Sequence, residues 1–276
     1  MKKNIKIAIL DVLSVILTGL VFVVPFYFLI ITSFKDAKEA SWMQMDLPTN
    51  YHIIENYKEV LGAQNGILIR AFLNSFILTI FSVIGVVIVS SMAGFVLQRR
   101  KDKFSGLWTF MILFGLMVPP SLVPTIWVLQ TLNIFKTLFS MILMEIAFLF
   151  PFSVLLYKGY MTSIPREIDE AAIMDGCGRL RLFFQIIFPL LKPMNITMIV
   201  LASIFVYSDF VNPLYFLPGA RNTTVQLTLF NFMGQWSTKW NLVFADVVLI
   251  SIPPLILYLF LNKKIIAGMI AGSLKE

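Results

Sequence analysis

Long apolar stretches alternate with short polar segments along the whole chain. Six of these stretches predict membrane spans, at about 8–34, 71–97, 105–129, 137–157, 193–217 and 240–262. Each has the roughly 20 helical residues needed to cross a ~30 Å hydrocarbon core. The pattern predicts an all-α membrane protein with a single transmembrane domain over residues 1–276, because no polar segment is long enough for a separate domain of ordinary size.

The first apolar stretch follows the basic sequence MKKNIK and shares that feature with secretory signal peptides. Its length and its lack of a small-residue cleavage site favour a retained span. Lys and Arg are concentrated at 2–6, 99–103, 158–192 and 263–275. Because cytoplasmic loops carry the excess of basic residues, this distribution predicts that both termini are cytoplasmic. The 35–70 and 218–239 loops then lie outside.

The composition supports a membrane protein and narrows the chemistry. The chain is 58% hydrophobic and 13% charged, whereas soluble domains carry about 25% charged residues. The net charge of +7 does not indicate nucleic acid, since the basic residues lie between apolar stretches. Cys177 and His52 are the only residues of their types, which excludes a disulfide framework and a metal site built from several Cys or His ligands.

The segment REIDEAAIMDGCGRLRLFFQIIFP, residues 166–189, is unusually charged for this chain. Pro165 and the acidic residues after it favour a first helix at about 165–174, since proline suits the first turn and carboxylates favour the positive helix end. Gly176 and Gly178 are natural terminators, and a second helix at about 179–188 should stop near Pro189. A solvated loop with a chance amphipathic pattern is the alternative explanation of the same periodicity.

Within this segment, Glu170-Ala171-Ala172, Gly176 three residues on, and Ile186 to Pro189 after a nine-residue gap resemble the EAA loop of bacterial ABC-importer permeases. That motif is written EAA-x3-G-x9-I-x-L-P, and only Phe188 departs from it. The resemblance implies that 165–189 is a cytoplasmic coupling loop that docks on an ATPase subunit, with Ala171 and Ala172 as a small-residue face. The implied coupling residues are Glu170, Ala171, Ala172, Asp175, Gly176 and Pro189.

Further stretches resemble permeases of the maltose and oligosaccharide type, the MalG-like subunits. They are ITSFKD (31–36), NYKEVL (56–61), FLNSFILT (72–79), MVPPSLVP (117–124), SDFVNPLYF (208–216) and the tail KKIIAGMIAGSLKE (263–276). In the fifth stretch Tyr207-Ser208 replaces the Trp-Asn of the family pattern, and the tail ends SLKE where the family has GAVKG.

The resemblance implies a permease subunit of an ATP-driven importer in the bacterial cytoplasmic membrane, surrounded by membrane lipid. It implies pairing with a homologous MalF-like permease, two ATPase subunits and an extracellular solute-binding protein that contacts the 218–239 loop and delivers an oligosaccharide. The sequence has no Walker A motif. We therefore predict that the chain is not an enzyme and binds no cofactor or metal, and that the partner ATPase uses ATP and Mg²⁺.

Polar residues inside the predicted spans are candidates for the substrate path, because an ionisable group near a helix centre costs about 2.5–3.5 kcal/mol unless it faces a partner or water. They are Glu145, Asp209, Asn212 and Asp246. Interhelical hydrogen bonding is the alternative role for each. The competing functions are a secondary transporter that uses these carboxylates for protons or sodium ions, and a membrane-embedded enzyme. The absence of an inverted repeat argues against the transporter, and the lack of a paired His/Asp or Ser/His set argues against the enzyme.

Two smaller expectations concern the helices themselves. Asn74 and Ser75 should cross-link helices through hydrogen bonds. Prolines in the spans should mark kinks, because each removes a helical hydrogen bond. These prolines are Pro119, Pro120, Pro124, Pro253 and Pro254.

Overall fold

The computed structural model describes residues 2–100, 102–234 and 237–273, with side chains from residue 10 to 260 within these ranges. The side chains of the 263–276 tail, and Lys101 and Trp236, lie outside the described residues. In the described part every regular element is a helix, and the one isolated β-bridge joins Met233 and Thr238.

The α-helices are α1 (Lys2–Ser33), α2 (Ala37–Ser41), α3 (Ile53–Gly62), α4 (Ile67–Arg99), α5 (Ser105–Met117), α6 (Leu122–Thr131), α7 (Leu138–Met161), α8 (Glu167–Met174), α9 (Arg179–Arg181), α10 (Phe188–Leu190), α11 (Lys192–Ser208), α12 (Val211–Phe216) and α13 (Trp240–Ser273). The remaining elements are 3-10 turns at Ala63–Asn65 and Val225–Asn231 and a π-helical segment at Leu182–Ile187.

Four helices are long and apolar enough to cross a membrane without a break. They contain Leu10–Ser33, Ile67–Arg99, Leu138–Met161 and Trp240–Phe260. Two further helix pairs meet the same criteria only when each sharply bent pair is counted as one span, which raises the number to six. The first, second, fourth and sixth predicted spans are therefore continuous helices, whereas the third and fifth are interrupted.

The third predicted span, 105–129, is broken into α5 and α6, which meet at 114°. Val118 has an extended backbone with ψ of 119°, as expected for a residue that precedes a proline. The kink predicted at Pro119 and Pro120 is confirmed. Pro124 lies in the first turn of α6, where no N–H is needed, and Pro253 and Pro254 lie within α13 without ending it.

The fifth predicted span, 193–217, is also divided. Helix α11 ends at Ser208, and Asp209 is extended with ψ of 124° before the short helix α12 begins. A second bend, of 79°, separates Arg179–Leu190 from α11. The bend near Leu191 agrees with the predicted helix end near Pro189 and the predicted start of the span at 193, whereas the uniform hydropathy of 193–217 did not reveal the break at Asp209.

The chain forms two compact units. The first comprises residues 1–71 and 225–252, and the second comprises 72–224 and 253–276. In the first unit the buried Asn56 holds the 35–62 segment in place. Its Nδ2 donates to the carbonyls of Ser33 and Lys35 at 2.9 and 2.8 Å, and its Oδ1 accepts from Asn241 Nδ2 at 2.9 Å.

The core of the second unit is formed by α4, α7, α11 and the segment 164–191. Helices α4 and α7 approach each other closely, because a Cβ atom at Gly94 would lie 2.7 Å from Tyr157 Cβ. The Tyr157 hydroxyl donates to Asn195 Oδ1 at 2.8 Å, which ties α7 to α11. The second unit therefore places the charged segment on a closely packed helical base.

Candidate functional site

The charged loop, residues 165–189, contains the helix–glycine–helix arrangement that its sequence predicts. Helix α8 has three acidic residues in its first turn and ends at Met174. Gly176 has φ of +79°, and its N–H donates to the Ile173 carbonyl at 2.9 Å while the Cys177 N–H donates to the Ala172 carbonyl at 2.9 Å. These paired bonds form a Schellman motif, in which the left-handed residue is most often glycine. Gly178, by contrast, has an ordinary φ of −70°.

Helix α8 divides its side chains between the protein core and solvent. Asp169 and Ala172 are buried, with Ala172 only 7% exposed and in contact with the core. Glu170, Ala171 and Ile173 are exposed, and Met174 is 86% exposed. Of the two alanines expected to form a small-residue face for another protein, only Ala171 is therefore accessible.

The second helix of the charged loop differs from its prediction. It extends past Pro189 to Leu190, and its central segment Leu182–Ile187 is π-helical. Proline lacks an N–H and its ring clashes with the carbonyl four residues earlier, so a widened π-helical turn accommodates Pro189 without ending the helix. Phe183 is buried there against Phe95 of α4, with ring centroids 5.7 Å apart.

Two arginines fasten the charged loop to the end of α4. Arg99 Nε donates to Asp169 Oδ2 at 2.6 Å and its Nη2 to Asp169 Oδ1 at 3.3 Å, a two-pronged ion pair with side chains only 13% and 12% exposed. The same Nη2 donates to the Ile164 carbonyl at 3.1 Å. A second contact has its donor in the charged loop: Arg166 Nη2 donates to the carbonyl of Gln98 in α4 at 2.8 Å. The loop is therefore held rigidly while its exposed face stays open.

The ion pair that Arg99 forms with Asp169 was not predicted from the sequence. The charge of Arg99 contributed only to the predicted membrane orientation, since its partner Asp169 lies 70 residues away in the sequence. The positions of the two residues could have suggested the contact. Arg99 ends a long predicted helix, and Asp169 is on the α8 face opposite the exposed residues.

Glu145 lies in the middle of α7 and is fully buried at 0% exposure. Neither of its carboxylate oxygens forms a hydrogen bond with a described residue. The Asp209 carboxyl is close enough to interact with it electrostatically. None of the ion pairs found among the described residues includes either carboxyl, and two neighbouring carboxylates without a counter-charge would be energetically unfavourable inside a protein.

Asp209 and Asn212 are brought together at the break between α11 and α12. Asp209 Oδ1 accepts from the Asn212 N–H at 3.3 Å, and Oδ2 accepts from Asn212 Nδ2 at 2.7 Å. The Asp209 carboxylate therefore caps the start of α12, the position where a carboxylate satisfies a free helical N–H. Both residues are partly exposed.

Asp246 belongs to the other unit and is also fully buried, at 0% exposure. Its Oδ2 lies 2.8 Å from the Thr228 hydroxyl, whereas its Oδ1 has no hydrogen-bond partner among the described residues. Of the four candidates for the substrate path, Glu145, Asp209 and Asn212 are thus neighbours within the second unit, and Asp246 belongs to the first unit.

The 218–239 loop is divided between the two units. In the second unit, Asn74 of α4 donates to the carbonyls of Arg221 and Thr223 at 3.2 and 2.9 Å. The expectation that Asn74 cross-links two helices is corrected, because its partners are loop carbonyls. In the first unit, a cavity of about 650 Å³ lies between the end of α3 and residues 231–234 and 237–239, with the Lys239–Glu59 ion pair of 2.8 Å at its edge.

Comparisons with known proteins identify the family of the chain. Residues 88–270 match the family model described as "Binding-protein-dependent transport system inner membrane component". The chain is 31% identical to the probable starch degradation products transport system permease protein AmyC of Thermoanaerobacterium thermosulfurigenes, over 100% of this chain and 99% of that protein. It is 31% identical to the melibiose/raffinose/stachyose import permease protein MelC of Bacillus subtilis, over 91% of each chain.

The fold has a counterpart among solved structures. A chain in the crystal structure of a bacterial ABC transporter that imports the acidic polysaccharide alginate superposes with a TM-score of 0.80 at 19% identity, covering 95% of this chain and 98% of that one. A chain of a bacterial alginate ABC transporter in complex with alginate pentasaccharide-bound periplasmic protein gives a TM-score of 0.68 at 14% identity, covering 95% and 94%. The interrupted spans therefore occur within a known transporter fold.

Proposed function

We infer the function from one premise: the chain belongs to the family of binding-protein-dependent transport system inner membrane components. It is therefore a multi-pass inner membrane permease of an ABC transporter, and its relatives are transport permeases, not enzymes. This family membership decides against a secondary transporter and a membrane-embedded enzyme. The remaining proposals concern its solute, its partners and its orientation.

The solute that we propose is an oligosaccharide. The named relatives transport starch degradation products and melibiose, raffinose or stachyose, and this supports a carbohydrate of two or more units. Asp209 and Asn212, partly exposed at a helix break, are the most accessible of the candidates for the substrate path. A carboxylate and an amide together accept from and donate to sugar hydroxyls.

The proposed orientation places both termini and the charged loop in the cytoplasm, with six spans when each interrupted helix is counted once. The charged loop then docks on an ATPase subunit. The observation that carries this proposal is a loop held by Arg99 and Arg166 whose exposed face includes Glu170 and Met174. A solvated loop has no need to expose a methionine and an isoleucine on a helix fixed by a largely buried ion pair and by an arginine–carbonyl hydrogen bond.

The proposed partners complete the transporter: a MalF-like permease, two ATPase subunits that use ATP and Mg²⁺, and a solute-binding protein. The chain itself holds no cofactor in this proposal. The binding protein is expected to contact the 218–239 loop, where the cavity beside Lys239 and Glu59 offers a concave surface lined by both polar and apolar side chains. Phe230 and Met233 are partly exposed in the same segment.

One experiment tests the transport proposal directly. The permease, its partner permease and the ATPase are reconstituted in vesicles that have the loaded binding protein outside and ATP inside. Uptake is then measured for maltotriose, raffinose and stachyose. We expect uptake of at least one of them to require ATP, to stop with vanadate and to persist with a protonophore. Uptake that stops with the protonophore and ignores vanadate would refute the proposal.

A variant tests the binding-protein face. Met233→Asp places a charge on an exposed apolar side chain. We expect basal ATP hydrolysis to remain while its stimulation by loaded binding protein falls, because the change affects a docking surface. Lys38→Asp, on the exposed helix α2 away from the cavity, is the matched control. Equal stimulation of both variants and the parent would show that the 218–239 loop is not the contact.

A further inference from the structure

Helix α4 has a buried polar anchor at each end of its course through the second unit. At one end Arg99 forms the two-pronged ion pair with Asp169 of the charged loop, at 2.6 and 3.3 Å. At the other end Asn74, which is 8% exposed, donates from one amide group to the Arg221 and Thr223 carbonyls. The same helix therefore grips the charged loop and the beginning of the 218–239 loop.

The helix between these anchors is stiff. It runs unbroken from Ile67 to Arg99 and contains no proline. The 25 residue-to-residue steps from Asn74 to Arg99 span roughly 37 Å at 1.5 Å per step. Glycines at 85 and 94 let α7 approach so closely that a Cβ at Gly85 would lie 2.2 Å from the Ile146 side chain. Displacement of one end must therefore move the other end or break packing along the helix.

We propose that α4 is the mechanical link between the charged loop and the 218–239 loop, with Arg99 and Asn74 as the positioning residues at its two ends. This inference rests on the proposed function, in which the charged loop meets the ATPase. Arg99 acts through Asp169, and Asn74 acts through the two carbonyls. Movement of the ATPase would shift the charged loop, carry α4 with it and change the strain on residues 221–223.

Neighbouring residues provide matched controls. Arg100 follows Arg99 but pairs with Asp102 in an exposed position. Asn222 lies between the two carbonyls that Asn74 binds, yet its Nδ2 donates to the Lys136 carbonyl at 2.7 Å. Arg99 and Asn74 therefore join α4 to the two loops, whereas Arg100 and Asn222 have the same side chains nearby but do not join α4 to either loop.

Amide hydrogen exchange in the assembled transporter tests the link, with a non-hydrolysable ATP analogue and Mg²⁺ as the probe. We expect nucleotide to change the amide exchange rate at 166–176. We also expect it to change the rate at 219–224 by about 5-fold or more, because allosteric coupling is typically about 5-fold at its lower end. Arg99→Gln and Asn74→Ala should lose the change at 219–224 and keep the change at 166–176. Arg100→Gln and Asn222→Ala should keep both, each compared with its own nucleotide-free state.

Arg99→Gln leaves Asp169 as a buried unpaired charge, so the double variant Arg99→Gln/Asp169→Asn is measured beside it. The double variant should also lose the distant change, and Arg99→Lys should partly restore it. A distant change that persists in Asn74→Ala and in the double variant overturns the link. A parent that responds at 166–176 but not at 219–224 also overturns it, whereas a parent with no response at 166–176 instead refutes the proposed docking of the charged loop.

Discussion

The charged loop and the interior of the membrane-spanning helices satisfy their charges in opposite ways. Asp169 in the loop accepts hydrogen bonds from Arg99 Nε and Nη2, and the same Nη2 also donates to the Ile164 carbonyl. Glu145 in α7 is just as removed from solvent but has no hydrogen-bond partner among the described residues. Its identified electrostatic neighbour is another carboxyl, that of Asp209.

The contrast between the paired Asp169 and the unpaired Glu145 separates acidic groups that hold the fold together from acidic groups that do not. A buried carboxylate that is fully paired belongs to the fold, because removing either partner leaves an uncompensated buried charge and destabilises the protein. A buried carboxylate left without a partner costs free energy in the folded chain, so its presence calls for a use in another state of the protein. The following variants test this contrast, beginning with the largest expected effect.

Gly176→Pro should abolish uptake while the protein still inserts into the membrane. Proline fixes φ near −65°, whereas Gly176 has φ of +79° and donates its N–H to Ile173. Gly178→Pro is the matched control, because Gly178 already has φ of −70° and a Cβ there would meet no atom within 4 Å. Uptake and membrane yield are measured for both. Equal uptake would show that the end of α8 has no part in coupling.

Glu170→Lys should also abolish uptake without reducing membrane yield or thermal stability. Glu170 is exposed on α8 and pairs with no described residue, so reversing its charge alters the docking face and leaves the fold intact. Glu167→Lys changes the same charge one turn away and should have a smaller effect. The test compares ATPase binding and uptake, and normal binding of Glu170→Lys would remove this residue from the interface.

The sequence predicted most of the fold because hydropathy and turn residues act locally. Gly176, Pro119 and the acidic turn of α8 were each interpreted correctly from their neighbours in the chain. The break at Asp209 and the π-helical segment before Pro189 were missed, because each depends on tertiary packing or on a wider hydrogen-bonding pattern than hydropathy records. Arg99 was missed as a site residue for a related reason: its contact joins positions 99 and 169.

Glu145→Gln should stabilise the protein or leave it unchanged, and lower uptake about 10-fold or alter the preferred sugar. The change keeps the shape and removes a buried ionisable group beside Asp209. Asp209→Ala should act in the opposite direction on stability, because it removes two hydrogen bonds to Asn212. Thermal unfolding resolves the difference, since about 1 kcal/mol shifts Tm by roughly 2–4 °C at this size. A destabilised Glu145→Gln variant would mean that the Glu145 carboxyl has a partner that stabilises the fold.

Asp246→Asn should have the smallest effect and completes the contrast between paired and unpaired carboxylates. Asp246 is as buried as Glu145, yet one of its oxygens lies 2.8 Å from the Thr228 hydroxyl, and an asparagine carbonyl can accept the same hydrogen bond. We therefore expect Tm to change by only a few degrees and uptake to stay within about 2-fold, consistent with a neutral hydrogen bond of about 1 kcal/mol.

A double-mutant cycle of Asp246→Ala, which removes the acceptor that Asp246→Asn keeps, with Thr228→Val assigns the interaction. If Thr228 is the partner of Asp246, the two changes should be non-additive by roughly 1–2 kcal/mol, whereas independent sites add within about 0.5 kcal/mol. Additive effects on stability together with a changed sugar preference in Asp246→Asn would contradict the structural role. Asp246 would then belong with Glu145 among the residues that contact the solute, in spite of its bond to Thr228.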